Sequence, residues 1–347
     1  MRRIAVRVTV LVALVVGAAV VGGGQTKDEL NNYFQQDVGL SSDQITALRG
    51  GQAVSKKMTS RIPDEIFVFG AVYVKAPPET YVKLAYDFDR LRQVPGYEAI
   101  EKFSNPPRLS DLKGYTYDSD DIKAMKDCKP DDCQIQMPAG SIEALHKAVD
   151  FSAPDAGDKA NAYLRERVIE RLLAYQKGGN QVLGEYNDKK NPTKVSEQFK
   201  YMLSYNQVLP KVLPDFYTYL LTYPNGKPAT VQDIFYWDKV KFGLKPTLRV
   251  VQVVTMQGNK PHEPAYTIAE KQLYSSHYFE TAMDMTYCIR SDDPNQPGFY
   301  LVKVMGSEQA GLTGFKGSIV RKEAVNKSAS SLQKSLASIK TALEKNQ

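Results

Sequence analysis

Ile66-Phe67-Val68-Phe69-Gly70-Ala71-Val72-Tyr73-Val74 is apolar at nearly every position and rich in β-branched and aromatic residues, which predicts a central strand buried on both faces. Pro77 and Pro78 end it, and Pro78-Glu79-Thr80 opens a helix with Tyr81, Leu84, Ala85 and Phe88 at helical spacing. A short strand is expected through Ala99 to Phe103, and Gln134-Ile135-Gln136-Met137 alternates as a half-exposed strand does. From Ser141 to Tyr223 the spacing is helical. Leu164, Val168, Leu172 and Tyr175 share a face that ends at Gly178-Gly179, Val195, Phe199, Met202 and Leu203 mark a second helix, and Leu213 to Leu221 a third. After Gln232 strands return at Leu248–Met256, Tyr266–Ser275, Tyr278–Arg290 and Phe299–Met305, with connections short enough to predict an antiparallel meander. Along Tyr278–Arg290, Phe279, Thr281, Met283, Met285, Tyr287 and Ile289 fall on one face and Glu280, Asp284 and Arg290 on the other, so the first face is expected to look inward. Val325, Ala329, Leu332, Leu336, Ile339 and Leu343 recur at steps of four and three, the stripe of an amphipathic helix on the order of 35 Å long.

The first residues change the picture of where this chain works. Arg2, Arg3 and Arg7 precede an apolar run from Val8 to Val21 and then Gly22-Gly23-Gly24, with no acidic residue, which is the order of a secretory signal spanning 1–24. A membrane-spanning helix needs about 20 apolar residues, more than this run supplies, so cleavage is expected over an uncleaved anchor. Removing the three arginines takes the formal net charge from +6 to +3, too mild an excess to imply nucleic acid. Residues 25–63 read as a polar N-terminal segment, part helix and part linker.

Cys128 and Cys133 flank Lys129-Pro130-Asp131-Asp132, a turn, and in an exported protein the pair is expected to close a disulfide. A zinc site is the competing reading, with His146 the one histidine nearby. Cys288 reads as a buried hydrophobe. Asp118-Ser119-Asp120-Asp121 lacks the glycine and distal Glu of a calcium loop and is expected to cap the helix carrying Ile122 and Met125.

Phe69-Gly70-Ala71-Val72-Tyr73-Val74-Lys75-Ala76-Pro77-Pro78-Glu79-Thr80 resembles the opening of START-like and pollen-allergen-like lipid-binding proteins, in which a strand runs into a proline-marked helix start. Tyr274 to Lys345 is similar to their closing half, with paired strands, Gly311-Leu312-Thr313-Gly314-Phe315 and a gripping helix. The resemblance covers Glu65 to Phe103 and Leu248 to Lys345. It implies an α+β helix-grip fold, in which a curved antiparallel sheet wraps on the long C-terminal helix, formed by 64–138 and 232–345. The chain departs from the family in an inserted all-helical block at 139–231, which either caps or fills the cavity. The resemblance also implies an apolar small molecule or lipid as partner, held between sheet and final helix. Tyr236, Trp237, Phe279, Met283, Met285, Tyr287, Tyr300 and Val302 are the expected ligand-binding residues, methionine being adaptable to a guest.

No Gly-x-Ser-x-Gly elbow, phosphate-binding glycine loop or His-Glu-x-x-His helix occurs, and no cofactor or metal is expected. Two rivals to a non-enzymatic carrier stand: a cyclase- or hydratase-type enzyme of the same fold using His277 and Glu280, and a cavity-less interaction protein docking a partner on its helical block. Neither the oligomeric state nor more than transient membrane contact follows from the sequence.

Overall fold

A computed structural model of the chain describes residues 27–204, 206, 209–241, 245–309, 311–312 and 314–345. The expected signal segment at 1–24 lies outside them. The strands are β1 (Val54–Lys57), β2 (Glu65–Val74), β3 (Tyr97–Lys102), a separate hairpin β4 (Glu185–Tyr186) and β5 (Thr193–Lys194), then β6 (Val231–Lys241), β7 (Pro246–Gln257), β8 (Tyr266–Ser275), β9 (Phe279–Arg290) and β10 (Phe299–Gln309). Eight of them form one antiparallel sheet in the order β1-β2-β10-β9-β8-β7-β6-β3. The meander β6 to β10 is its centre. Strand β2 pairs with β10 along its whole length, from Phe299 opposite Val74 to Glu308 opposite Glu65, and so ties the start of the domain to its end.

The helices are α1 (Lys27–Asn32), α2 (Ser42–Arg49), α3 (Glu79–Ala85), α4 (Phe88–Leu91), α5 (Ser119–Asp127), α6 (Ala139–Ala148), α7 (Ala156–Gly178), α8 (Val195–Leu203), α9 (Leu209–Val212), α10 (Pro214–Thr222) and α11 (Gly314–Lys345). The architecture is α+β, an antiparallel sheet with a long C-terminal helix. At 32 residues α11 runs about 48 Å, longer than the apolar stripe alone suggested, because its first turns carry the exposed Ile319 and Val320.

Both faces of the sheet are covered. On the front, Val325, Ala329, Leu332, Leu336 and Leu343 of α11 pack with Ile66, Val68, Val72 and Val74 of β2. The closest approach is at Gly70, where an added Cβ would lie 2.7 Å from Leu336 and 2.8 Å from Leu332. The reverse face carries two groups of helices. Phe34 and Leu48 of the N-terminal segment pack on Phe69, Ala71, Tyr73, Tyr300 and Val302, so this segment contributes to the core, with β1 extending the sheet. Leu172, Phe199, Phe216 and their neighbours in the helical block pack on Phe235, Trp237, Val250, Val254, Met283 and Met285.

The block therefore neither caps nor fills the space under α11; it occupies the opposite side of the sheet. Nor is it all helical, since it includes the β4–β5 hairpin. A polar chain fastens it. Tyr175 donates to Gln252 (2.6 Å), Gln252 to Asp233 (3.0 Å), and the fully buried Lys271 reaches Tyr175 (3.1 Å) and Asn180. Burial lowers the Lys271 pKa to about 7.

Two local expectations are corrected. Gln134–Met137 is not a strand: Ile135, Gln136 and Met137 are all buried, and Gln136 donates its N–H to the Ser276 carbonyl at the sheet's end rather than to a ladder. Asp118 stands at the start of α5 without capping it, because its carboxylate is engaged by Lys239. Cys128 and Cys133 are joined in a disulfide across the Lys129–Asp132 turn, and Cys288 is free and buried.

Two stability outcomes follow. Gly70→Ala should cost about 1–3 kcal/mol, because the methyl must displace two packed leucines; an unchanged denaturation midpoint would count against this seat for α11. Cys128→Ser should cost about 2 kcal/mol, the loop being short, as read by thermal melting under oxidising conditions.

Candidate functional site

A helix about 10 Å across covers roughly two strands spaced about 4.8 Å. Helix α11 lies mainly over β1 and β2 and touches α3, while α4 packs by β3 at the far edge. The middle of the front face is left without a helix on it, and there a cavity of 620 Å³ opens. Its roof is the side of α11 bearing Ser335, Ser338, Ile339 and Ala342, small at three of four positions. Its walls are Tyr81, Leu84 and Ala85 of α3, Tyr86, Phe88, Arg90 and Leu91 around α4, and Tyr97 and Ile100 of β3.

The floor is charged. Arg249 of β7, Glu270 of β8, Asp284 of β9 and Lys303 of β10 all reach the cavity, beside Val251, Val253, Ala282 and Met305. They share a face because the register fixes it: Glu270 stands opposite Asp284, and Arg249 opposite Asp238 of β6. Arg249 binds Asp238 in bidentate fashion, Nε to Oδ1 at 2.9 Å and Nη2 to Oδ2 at 2.6 Å. Burial raises the Asp238 pKa and Arg249 limits the rise. Lys303 Nζ lies 3.8 Å from Glu270, too far for a direct hydrogen bond. Burial opposes the Lys303 charge, yet Tyr81, Glu270 and Asp284 around it hold its pKa above the ordinary lysine value. The Asp284 carboxylate has no hydrogen bond or ion pair among the described residues. Its pKa rises from 3.8 to about 7, chiefly through burial, which Lys303 opposes, with Glu270 adding to the rise and Arg249 countering it.

Of the eight residues expected to bind ligand, Tyr236 and Met283 line this cavity. Trp237 is fully buried on the reverse face, where its Nε1 donates to the Asp111 carbonyl (2.7 Å) and its ring meets Tyr115 edge-on. Tyr300 and Val302 lie under the N-terminal helices, the Tyr300 hydroxyl accepting from Arg49 (3.1 Å). The Tyr287 hydroxyl is bonded by Asn206, and half-buried Phe279 opens β9 with its carbonyl accepting from Gln272. Met285, together with Met283, lines a second cavity of 380 Å³ on the reverse face, closed by Tyr33, Met58, Phe67, Met202 and Asn206. Along β9 the apolar side, with Met283 and Met285, meets the helical block, and the side with Asp284 meets the cavity.

No family model matches the chain, and no curated protein matches it in sequence.

His277 and Glu280 are not brought together as an acid/base pair. His277 is 5% exposed, and both ring nitrogens are occupied, Nε2 by Asp121 (3.1 Å) and Nδ1 by the Gln134 carbonyl (3.1 Å). Glu280 instead accepts from Lys189 and Thr193. Among the described residues no group of His, Cys, Asp and Glu is arranged to hold a metal.

Between pH 3.8 and about 7 folded Asp284 keeps a proton that the unfolded chain has lost, so its contribution makes stability fall as pH rises through that window. Asp284→Asn removes this slope. The variant should melt above the wild type at pH 8, by about 2 °C or more, and converge with it at pH 4. An equal or lower melting temperature at pH 8 would show that ionised Asp284 is satisfied in the folded protein.

Proposed function

We propose that the chain is an exported, non-enzymatic binding protein that holds an amphipathic small molecule, apolar in body and polar at one end, between sheet and C-terminal helix. The observation that carries this reading is the 620 Å³ cavity, which falls within the roughly 300–1,000 Å³ usual for small-molecule sites. Its walls are mostly aliphatic and aromatic, with Arg90 among them, and its two carboxylates lie together on the floor. The START-like resemblance supports the same reading, since it places the ligand on this side of the sheet. The charged floor narrows it: a wholly apolar guest would bury Glu270 and Asp284 without offering them a partner, which costs free energy. Export is supported by the composition of residues 1–24 together with the bridged cysteines, a pairing that persists in oxidising compartments. Among the described residues no helix is long and apolar enough to cross a membrane.

Native mass spectrometry of the protein purified from its own host, followed by organic extraction, should reveal a bound small molecule. Ala282→Trp combined with Ala342→Trp puts two indoles into the cavity from floor and roof and should abolish the bound mass while the protein still melts cooperatively. Retention of the same mass in that variant would place the ligand elsewhere, the 380 Å³ reverse-face cavity being the next location to block.

A further inference from the structure

The cavity floor carries two carboxylates, Glu270 and Asp284, and no bidentate pair serves either, while a third cation, Arg90, stands on the α4 wall with its Nε buried and unpartnered. Of the floor's two cations, Arg249 is fully engaged by Asp238, with both hydrogen bonds at 2.9 Å or less. Lys303 stands 3.8 Å from Glu270 and is the nearest thing to a partner that Glu270 has. The Asp284 carboxylate, across the ladder from Glu270, has no hydrogen bond or ion pair among the described residues. Gln272, 4% exposed and also lining the cavity, donates its Nε2 to the Phe279 carbonyl, which leaves its Oε1 buried without a donor. The Asp284 carboxylate and the Gln272 Oε1 thus lack a partner, and Glu270 has only Lys303 at 3.8 Å.

The walls around them are aromatic. Tyr81, Tyr97 and Tyr236 border the same space, with Phe88 edge-on to Tyr236 at 5.8 Å between centroids. Among the described residues, the Tyr97 and Tyr236 hydroxyls have no hydrogen-bond partner. Ring faces attract cations through their quadrupole, and do so more strongly where water is excluded.

We infer that the cavity selects a ligand whose polar end is a cation, an amine or quaternary ammonium, seated on Glu270 and Asp284 beside the rings of Tyr97 and Tyr236. This rests on the cavity being a binding site and specifies the chemistry it recognises. A carboxylate or phosphate head suits the floor poorly. It would meet Glu270 and Asp284 directly, while Arg249 is already taken and Lys303 is bracketed by the two acids. Arg90 faces the space from the α4 wall and gives one guanidinium N–H to the Leu84 carbonyl.

The experiment compares three probes with the same ten-carbon tail, decyltrimethylammonium, decanol and decanoate, titrated calorimetrically below their micelle concentrations into the purified protein at pH 8. Decyltrimethylammonium should bind about tenfold tighter than decanol, and decanoate weaker than either. Glu270→Gln with Asp284→Asn should bring ammonium and alcohol to within about threefold of each other. If that double variant does not fold, Asp284→Asn and Tyr236→Leu singly should each reduce the preference by about threefold or more. Decanol binding without an ammonium preference, decanoate binding as tight as ammonium, or a preference that survives these substitutions overturns the inference and leaves the cavity reading intact. Failure of all three probes to bind the wild type overturns the cavity reading and this inference with it.

Discussion

One helix cannot cover eight strands, and this mismatch of widths shapes both sides of the sheet. Helix α11 is seated where β2 offers it Gly70, and there Leu332 and Leu336 approach the strand backbone more closely than any side chain would permit. Its position over β1 and β2 follows from that seat, and β2 is in turn fixed by its ten-residue pairing with β10. The strands between this seat and the β3 edge are not in direct register with α11, and the cavity lies between them and the side of that helix. Small side chains keep the space open, Ser335, Ser338 and Ala342 from above and Ala282 from below. On the reverse face the same shortage of cover is met differently, by two groups of helices that together bury Phe69, Tyr300, Trp237, Val250 and Met285.

A sheet with helices against both faces constrains what its charged residues must do. In a two-layer protein, Glu270, Asp284 and Lys303 would be ordinary outward residues of an amphipathic meander. Here they point into the cavity, with the Glu270 side chain 34% exposed and Lys303 17% exposed. Asp238 and Arg249 resolve the cost by pairing bidentately. The Glu270–Asp284–Lys303 group does not resolve it within the protein, and the upward shift of Asp284 is the sign of that imbalance. On the reverse face Lys271 shows the opposite solution. It gives up its charge readily, lying against the Phe199 ring at 4.5 Å and bonding the neutral Tyr175 and Asn180.

The elements with one dominant period were legible in the chain. The β2 run, the meander strands from β7 to β10, the α7, α8 and α10 helices and the stripe of α11 stand where hydrophobic spacing places them, and the Cys128–Cys133 bridge follows from the turn between the two residues. What the spacing does not carry is which layer covers which face. The alternation of β9 distinguishes two faces, and a rule of apolar side inward chose Met283, Met285 and Tyr287, because nothing local to β9 says that a helical block 80 residues upstream will cover that side. Gln134–Met137 failed for a related reason. Its alternation resembles a strand, but its backbone crosses the end of the sheet and is satisfied at Ser276 instead of in a ladder.

A signal for the cavity was nevertheless present across strands rather than along them. Each of the five meander strands carries an ionisable residue, Asp238, Arg249, Glu270, Asp284 and Lys303, and the observed register brings all five to one face. That coincidence is costly unless the face meets water or a polar guest. That face meets a cavity bordered by α3, α4 and α11, and 620 Å³ is space for much more than a few water molecules. The most economical account of acids kept in such a place is a ligand that brings its own positive charge, because binding then removes the imbalance that folding leaves behind.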